Sequence, residues 1–314
     1  MPSMRTLVKL IGLLLVGLAL VFVGLRVATY VEDLGRAAAM PGTWGAVALS
    51  ALLYGLLSLL LVLGWRVLLG GINAGFAVSY WDSFEVYGRS QIAKYVPGNI
   101  FHFLGRQLLG RDKGWRQTEI ALASVVETLL LGSCAAALVL LFGALNRPAL
   151  FDVVPPLVLA LGVVVAVAAP LILLRHGARL PGLRRLTGLR DAESLGRGPA
   201  VWRAFMIYTV FFLATAAVYW VLIDLVVGEA SVDLLPGVAT ALVSGWLFGN
   251  MTPSAPGGIG VREAVMLPQL SALLGEPQAV VIVIMFRLVT IGGDVLFFLA
   301  ATALAAQRAT GGAR

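Results

Sequence analysis

Residues 250–264 read NMTPSAPGGIGVREA, with two prolines and three glycines in the eight positions 253–260 and an Arg–Glu pair close behind. On both sides the chain is apolar enough to lie in a bilayer. Proline removes a backbone donor and clashes with the preceding turn, and glycine tolerates backbone shapes closed to other residues. The stretch therefore predicts a helix that ends near Asn250, a break marked by Pro253, Pro256 and Gly260, and a second helix over about 261–274. The arm before the break, 235–249, holds 15 residues. At helical rise that is about 22 Å, short of a hydrocarbon core of about 30 Å. Bare backbone at membrane depth is tolerated only where protein or a water-filled cavity covers it. The reading is a re-entrant hairpin; the alternative is a tight turn on the outer surface.

The rest of the chain fits a membrane setting. Hydrophobic residues make up 60% and charged residues 12%, with a mean hydropathy of +0.94. A soluble domain cannot cover that much apolar surface, so the composition implies an all-α polytopic membrane protein. A spanning helix needs about 20 apolar residues. Six stretches qualify: 7–29, 44–69, 118–145, 153–174, 201–227 and 279–305. The first follows Arg5 and Lys9. Its apolar run exceeds a signal-peptide core and no small-x-small cleavage site directly follows, so it reads as a retained span. The single cysteine, Cys134, lies inside a span and excludes disulfides within the chain.

The net charge of +7 does not point to nucleic acid, because Lys and Arg gather in the cytoplasmic loops of membrane proteins. Arg5 and Lys9 come first. Arg89, Lys94, Arg106, Arg111, Lys113 and Arg116 lie between the second and third spans, and seven arginines lie within 175–203. The 228–278 connection holds only Arg262 against Glu229, Asp233, Glu263 and Glu276. This alternation predicts six crossings in the plasma membrane, or the inner membrane of a bacterium, with both termini cytoplasmic. Two interrupted segments are left over, about 76–116 on the cytoplasmic side and 234–275 on the outer side.

Residues 1–150 and 151–314 thus share one plan: span, span, broken segment, span. Three crossings per half make the halves inverted repeats. Their breaks read alike, PGNI at 97–100 and PGGI at 256–259. Interrupted segments at matching places of two halves are the best sequence pointer to a transporter's central site. The first hairpin is expected as an arm over 81–95, a break at Pro97, Gly98 and Asn99, and a second arm over 100–109. The alternative is eight spans, with both broken segments crossing fully.

A restarted helix leaves backbone N–H groups unpaired and carries a partial positive charge, which favours phosphate or carboxylate. Arg262 sits in that first turn, where the dipole disfavours a cation, and an anionic partner would give it a reason. Glu263 has the favoured sign there and is open to pairing with Arg262. Substrate-binding candidates are Arg262, Glu263, Arg106, Asn99, Asn250, Gly257, Gly258 and Arg287. Charges inside a membrane usually face a cavity and mark substrate or proton paths, which makes Glu127, Glu263 and Asp294 proton-coupling candidates. Arg287 and Asp294 lie seven apart on one helical face; the plain alternative is a structural ion pair. The aromatic and basic mix of 79–99 fits a helix touching anionic lipid at the interface. His102 reads as a packed histidine. Two histidines and no Cys–His–carboxylate cluster give no expectation of a metal or other cofactor.

The stretches KYVPGNIFHFLGR (94–106) and PSAPGGIGVREA (253–264) resemble the flippase-like transmembrane region of the lysylphosphatidylglycerol synthase family, and the resemblance covers almost the whole chain. Tyr95, Pro97, Gly98 and Asn99 match its first motif. Pro256, Gly257, Gly258, Gly260 and Glu263 match the more specific P-G-G-x-G-x-x-E. The resemblance implies movement of lipids or lipid-linked sugars across the bilayer. Full-length synthases also carry a soluble domain that transfers an aminoacyl group. These 314 residues leave no room for it, so the resemblance is to a stand-alone member and does not imply that transfer.

The leading expectation is therefore a transporter rather than an enzyme: a translocase for an anionic phospholipid or a polyprenyl-phosphate lipid. Two alternatives stand beside it. One is a non-transporting scaffold that partners a lipid-modifying enzyme. The other is a membrane-embedded lipid transferase, against which the chain offers no Asp-x-Asp pair and no evident Ser–His–Asp set. The many small residues fit an oligomer as well as close packing within one chain.

Overall fold

The computed structural model describes residues 21, 24–25, 27–72, 78–96, 100–146, 154–176, 199–228, 230–252 and 255–311. Ten α-helices follow in chain order: α1 (Val31–Ala39), α2 (Thr43–Ile72), α3 (Tyr80–Gln91), α4 (Phe101–Asp112), α5 (Gln117–Asn146), α6 (Pro156–His176), α7 (Pro199–Val227), α8 (Leu235–Met251), α9 (Val261–Leu274) and α10 (Glu276–Gly311). No strand occurs among the described residues. The chain is an all-α polytopic membrane protein. Five described stretches are long and apolar enough to cross a bilayer: Thr43–Ile72, Gln117–Leu145, Ala200–Val227, Val232–Met251 and Glu276–Thr310.

Both segments expected to break are interrupted among the described residues. The first runs through α3 and a 3-10 turn, Ile92–Tyr95, and resumes as α4. In the second, α8 ends at Met251, Pro256–Gly258 forms a 3-10 turn, and α9 begins at Val261. Gly257, Gly258 and Gly260 take φ of 55°, 75° and 83°, a left-handed region in which an L side chain costs about 1–2 kcal/mol per residue. Gly275, at φ 82°, ends α9, and α10 starts at the next residue.

Two spans differ from the expected ones. The arm expected over 235–249 is longer, because the 3-10 turn Val232–Leu234 precedes α8 and its helix continues through Asn250 and Met251. The span expected over 153–174 is α6, which starts three residues later, at Pro156, and runs to His176. Most of the first expected span, 7–29, lies outside the described residues.

Helix α2 is central and packs along α7 and α10; α5 packs on α6 and α8, and α3 on α10. Lipid tails are as apolar as leucine, so such contacts depend on close fit between backbones. At the α2–α10 crossing, a Cβ on Gly293 would fall 2.7 Å from the Ala51 carbonyl oxygen, and one on Gly55 3.1 Å from that of Gly293. At the α2–α7 crossing, Gly64 faces the buried Tyr208 ring, with only 2.2 Å for a Cβ. Outward faces carry Leu49, Leu52, Leu56, Leu161 and Val165, all exposed apolar side chains that suit lipid contact.

One regularity of this packing bears on the site. Exchange α2, α3, α4 and α5 for α7, α8, α9 and α10 in order. The α2–α7 pair then maps onto itself, and each other packed pair among these eight helices maps onto a packed pair: α3–α10 onto α8–α5, α4–α5 onto α9–α10, and α2–α3 onto α7–α8. The 3-10 turns of the two breaks, Ile92–Tyr95 and Pro256–Gly258, touch each other.

Candidate functional site

The two breaks meet at Tyr95 and Gly257. A Cβ on Gly257 would lie 2.7 Å from Tyr95 Cε1, so only glycine admits this contact. The Tyr95 hydroxyl donates to Asp294 Oδ2 at 2.6 Å, and Lys94 Nζ lies 2.7 Å from the same oxygen. Arg287 donates to the Gly257 carbonyl at 3.2 Å and sits 5.8 Å from the Tyr95 ring centroid. The first break is thereby tied to α10 and the second break together.

Three cations here have acid partners. Arg106 on α4, only 2% exposed, bonds Glu127 on α5, and Tyr87 donates to the other Glu127 oxygen at 2.8 Å. The Arg106 guanidinium also lies 3.8 Å from the Tyr87 ring centroid, close enough for a cation–π contact. Lys94 pairs with Asp294. Arg287 Nε lies 3.6 Å from Glu263 Oε1, while Glu263 Oε2 accepts the Gly260 N–H at 2.6 Å and so caps α9. The Arg287–Asp294 pair open from the sequence is not formed, since each has a partner on another segment. Glu263 likewise pairs with Arg287 and not with its neighbour Arg262.

Arg262 is the exception. It makes no ion pair or hydrogen bond among the described residues, and its Nε is buried without a partner. Arg106 Nε and Arg287 Nη2 are also buried without partners. Three guanidinium groups thus hold N–H donors free of acceptors around one region. Buried donors are costly to leave unsatisfied, and phosphate or carboxylate oxygens are the acceptors that guanidinium geometry matches best.

Two chambers adjoin these groups. The larger, about 250 Å³, is the more polar of the two and is lined by Lys94, His102, Arg106, Glu127, Asn250 and Arg262, with Gly257 and Gly258. Ile100, 63% exposed, also lines it. The smaller, about 40 Å³, is walled by Phe212, Tyr219 and Phe286 beside Glu263 and Arg287. Tyr54, Phe211, Trp246 and Arg262 line both. Among the described residues no group of three His, Cys, Asp or Glu side chains is placed to hold a metal.

The family model for the lysylphosphatidylglycerol synthase TM region covers residues 9–297. The chain belongs to that family. No curated protein and no solved structure matches it.

Within this member of the lysylphosphatidylglycerol synthase TM-region family, the predicted residues divide clearly. Arg106, Glu127, Asn250, Gly257, Gly258, Arg262, Glu263 and Arg287 gather on the two chambers. Asp294 stands behind them through Lys94 and Tyr95, and Pro256 and Gly260 frame the second break. Pro97, Gly98, Asn99 and Pro253 lie outside the described residues. Sequence reading left Lys94 among the interfacial cations and did not single out Tyr54, Phe211 or Trp246. Lys94's adjacency to the break was the available signal. Nothing local tells that Asp294, 200 positions away, is its partner.

Proposed function

We propose that this chain is a lipid translocase that holds the phosphate of an anionic phospholipid or a polyprenyl-phosphate lipid where its two broken helices meet. The observation that carries this reading is Arg262, a cation without an acid partner on a restarted helix, facing a polar chamber. A 250 Å³ chamber is smaller than the ~300–1,000 Å³ of drug-sized sites. It suits a headgroup whose chains remain in lipid.

In this reading the two breaks are re-entrant hairpins, opening on opposite faces of the membrane, in two inverted halves. The paired packing of α2–α5 and α7–α10 supports that plan. So does the recurrence in each half of an ion pair between the second hairpin arm and the helix after it, Arg106–Glu127 and Glu263–Arg287. The termini and the first hairpin face the cytoplasm. Glu127, Glu263 and Asp294 each hold a cation, so a proton taken up by any of them frees that cation for substrate; this links proton exchange to the cycle.

The test is translocation by the purified chain in proteoliposomes, with fluorescent phosphatidylglycerol, phosphatidylcholine and a polyprenyl phosphate compared. Faster movement of an anionic lipid than in protein-free vesicles is expected. Folded protein that moves none of the three overturns the reading in favour of a scaffold for another enzyme.

A further inference from the structure

Among the described residues Arg262 is the one charged side chain lining the chambers without an ion-pair partner, and the backbone beneath it has an unusual form. Its aliphatic stem lies in a cradle of two glycines. A Cβ on Gly249 would fall 2.5 Å from Arg262 Cγ and 3.1 Å from its Nε. A Cβ on Gly258 would fall 2.7 Å from Nε. Either methyl group would push the stem out of its present path. Gly258 has a second reason to be glycine, its positive φ of 75°. Gly249 has no such φ: it lies in the last turn of α8, where helix propensity favours alanine, and its Cβ would also come within 3.2 Å of the Gly258 Cα. Helix formation therefore does not account for glycine at 249; room for Arg262, with the nearest contact, and the close approach of the Gly258 backbone do.

The cradle fixes where the charge sits. Gly249 belongs to α8, Gly258 to the break and Arg262 to the first turn of α9. The arginine is thus clamped between the two arms of its own hairpin, at the boundary shared by the polar and aromatic chambers. We propose that Gly249 is a positioning residue that holds Arg262 across this boundary, so that one guanidinium binds a lipid phosphate from the polar chamber and hands it to the aromatic one. This rests on the translocase reading and adds its central step: the phosphate keeps the same cation while the chamber around it changes. The aromatic chamber, at about 40 Å³, must widen as the polar one narrows. The matching contacts of the two halves supply a way to do so, by exchanging the packing of one hairpin for that of the other.

Dihexanoyl phosphatidylglycerol serves as a soluble probe, and its binding to the purified full chain is measured by titration calorimetry in detergent. Arg262→Ala is expected to weaken binding at least about tenfold, and Gly249→Ala by a similar factor although every charge remains. The double variant is expected to bind no more weakly than Arg262→Ala alone, because Gly249 acts only through Arg262. Gly245→Ala is the control for hairpin repacking: its Cβ would meet Met266 Cγ at 2.5 Å and the Arg262 backbone oxygen at 3.1 Å, with the Arg262 side chain not among its nearest neighbours. It is expected to lower Tm while binding within about twofold of wild type. In a Cys134→Ala background, cysteines at His102 and Thr215 report the polar and aromatic chambers separately. The probe should slow thiol labelling at both sites, and at neither once Gly249 is alanine. Wild-type binding in Gly249→Ala, additive losses in the double variant, or protection confined to His102 overturns the proposal and leaves the translocase reading standing. No binding of the probe by wild type overturns both.

Discussion

At the scale of single residues, the protein handles charge in two ways. Arg106 is buried against Glu127, and the partly buried Lys94 and Arg287 pair with Asp294 and Glu263, while Arg262 stands over two chambers unpaired. Removing one member of a buried pair strands the other, which typically costs about 3–5 kcal/mol. Glu127→Ala is therefore expected to lower thermal stability in detergent sharply. Arg106→Met with Glu127→Leu, which removes both charges, should recover most of that loss. A Glu127→Ala protein with wild-type Tm would show that the pair carries no such burden. Arg262→Ala strands nothing and is expected to leave Tm within a degree or two of wild type. A different residue-scale argument applies at Gly257. Alanine there meets both a φ of 55° and the Tyr95 ring. The left-handed backbone alone costs about 1–2 kcal/mol, so Gly257→Ala should unfold earlier and loosen the contact between the breaks.

At the scale of elements, glycine again decides the geometry, through approach distance rather than φ. Helices α2 and α10 touch backbone to backbone at Ala51, Gly55 and Gly293. Gly293→Val is expected to destabilise the fold by about 1–3 kcal/mol through overpacking, read as a fall in Tm with the helical circular dichroism retained. Unchanged stability would contradict the close crossing. Much of this level is legible in the sequence. The Pro–Gly punctuation at 253–260 places the end of α8 and the start of α9 within two residues, because it acts on its own backbone. Long apolar runs give α2, α5, α7 and α10 for the same reason. The length of α8 is less legible, since Val232–Leu234 joins it through a 3-10 turn that apolarity alone does not mark. The pairings are not legible at all. Glu127 finds its cation on α4 and Asp294 on the first break, contacts that arise only when separate hairpins are brought together.

At the scale of the whole molecule, the proposed account makes the two hairpins open on opposite faces. An impermeant maleimide tests this with single cysteines in a Cys134→Ala background. Val232→Cys and Gln278→Cys, at the base of the second hairpin, should label from the outside of intact cells. Ser79→Cys and Arg116→Cys, at the base of the first, should label only after permeabilisation. Labelling of Ser79→Cys and Arg116→Cys from opposite sides would instead make the first broken segment a full crossing, as in the eight-span arrangement. In that account two halves with matching contacts enclose unequal chambers, and Arg262, without an acid partner among the described residues, stands between them. The most direct measurement is translocation of fluorescent phosphatidylglycerol in proteoliposomes by wild-type protein and by Arg262→Ala of equal Tm. The account predicts that wild type moves the lipid and that the variant is slower by at least about tenfold, the loss of one buried charged contact. Equal rates in the two proteins would contradict it.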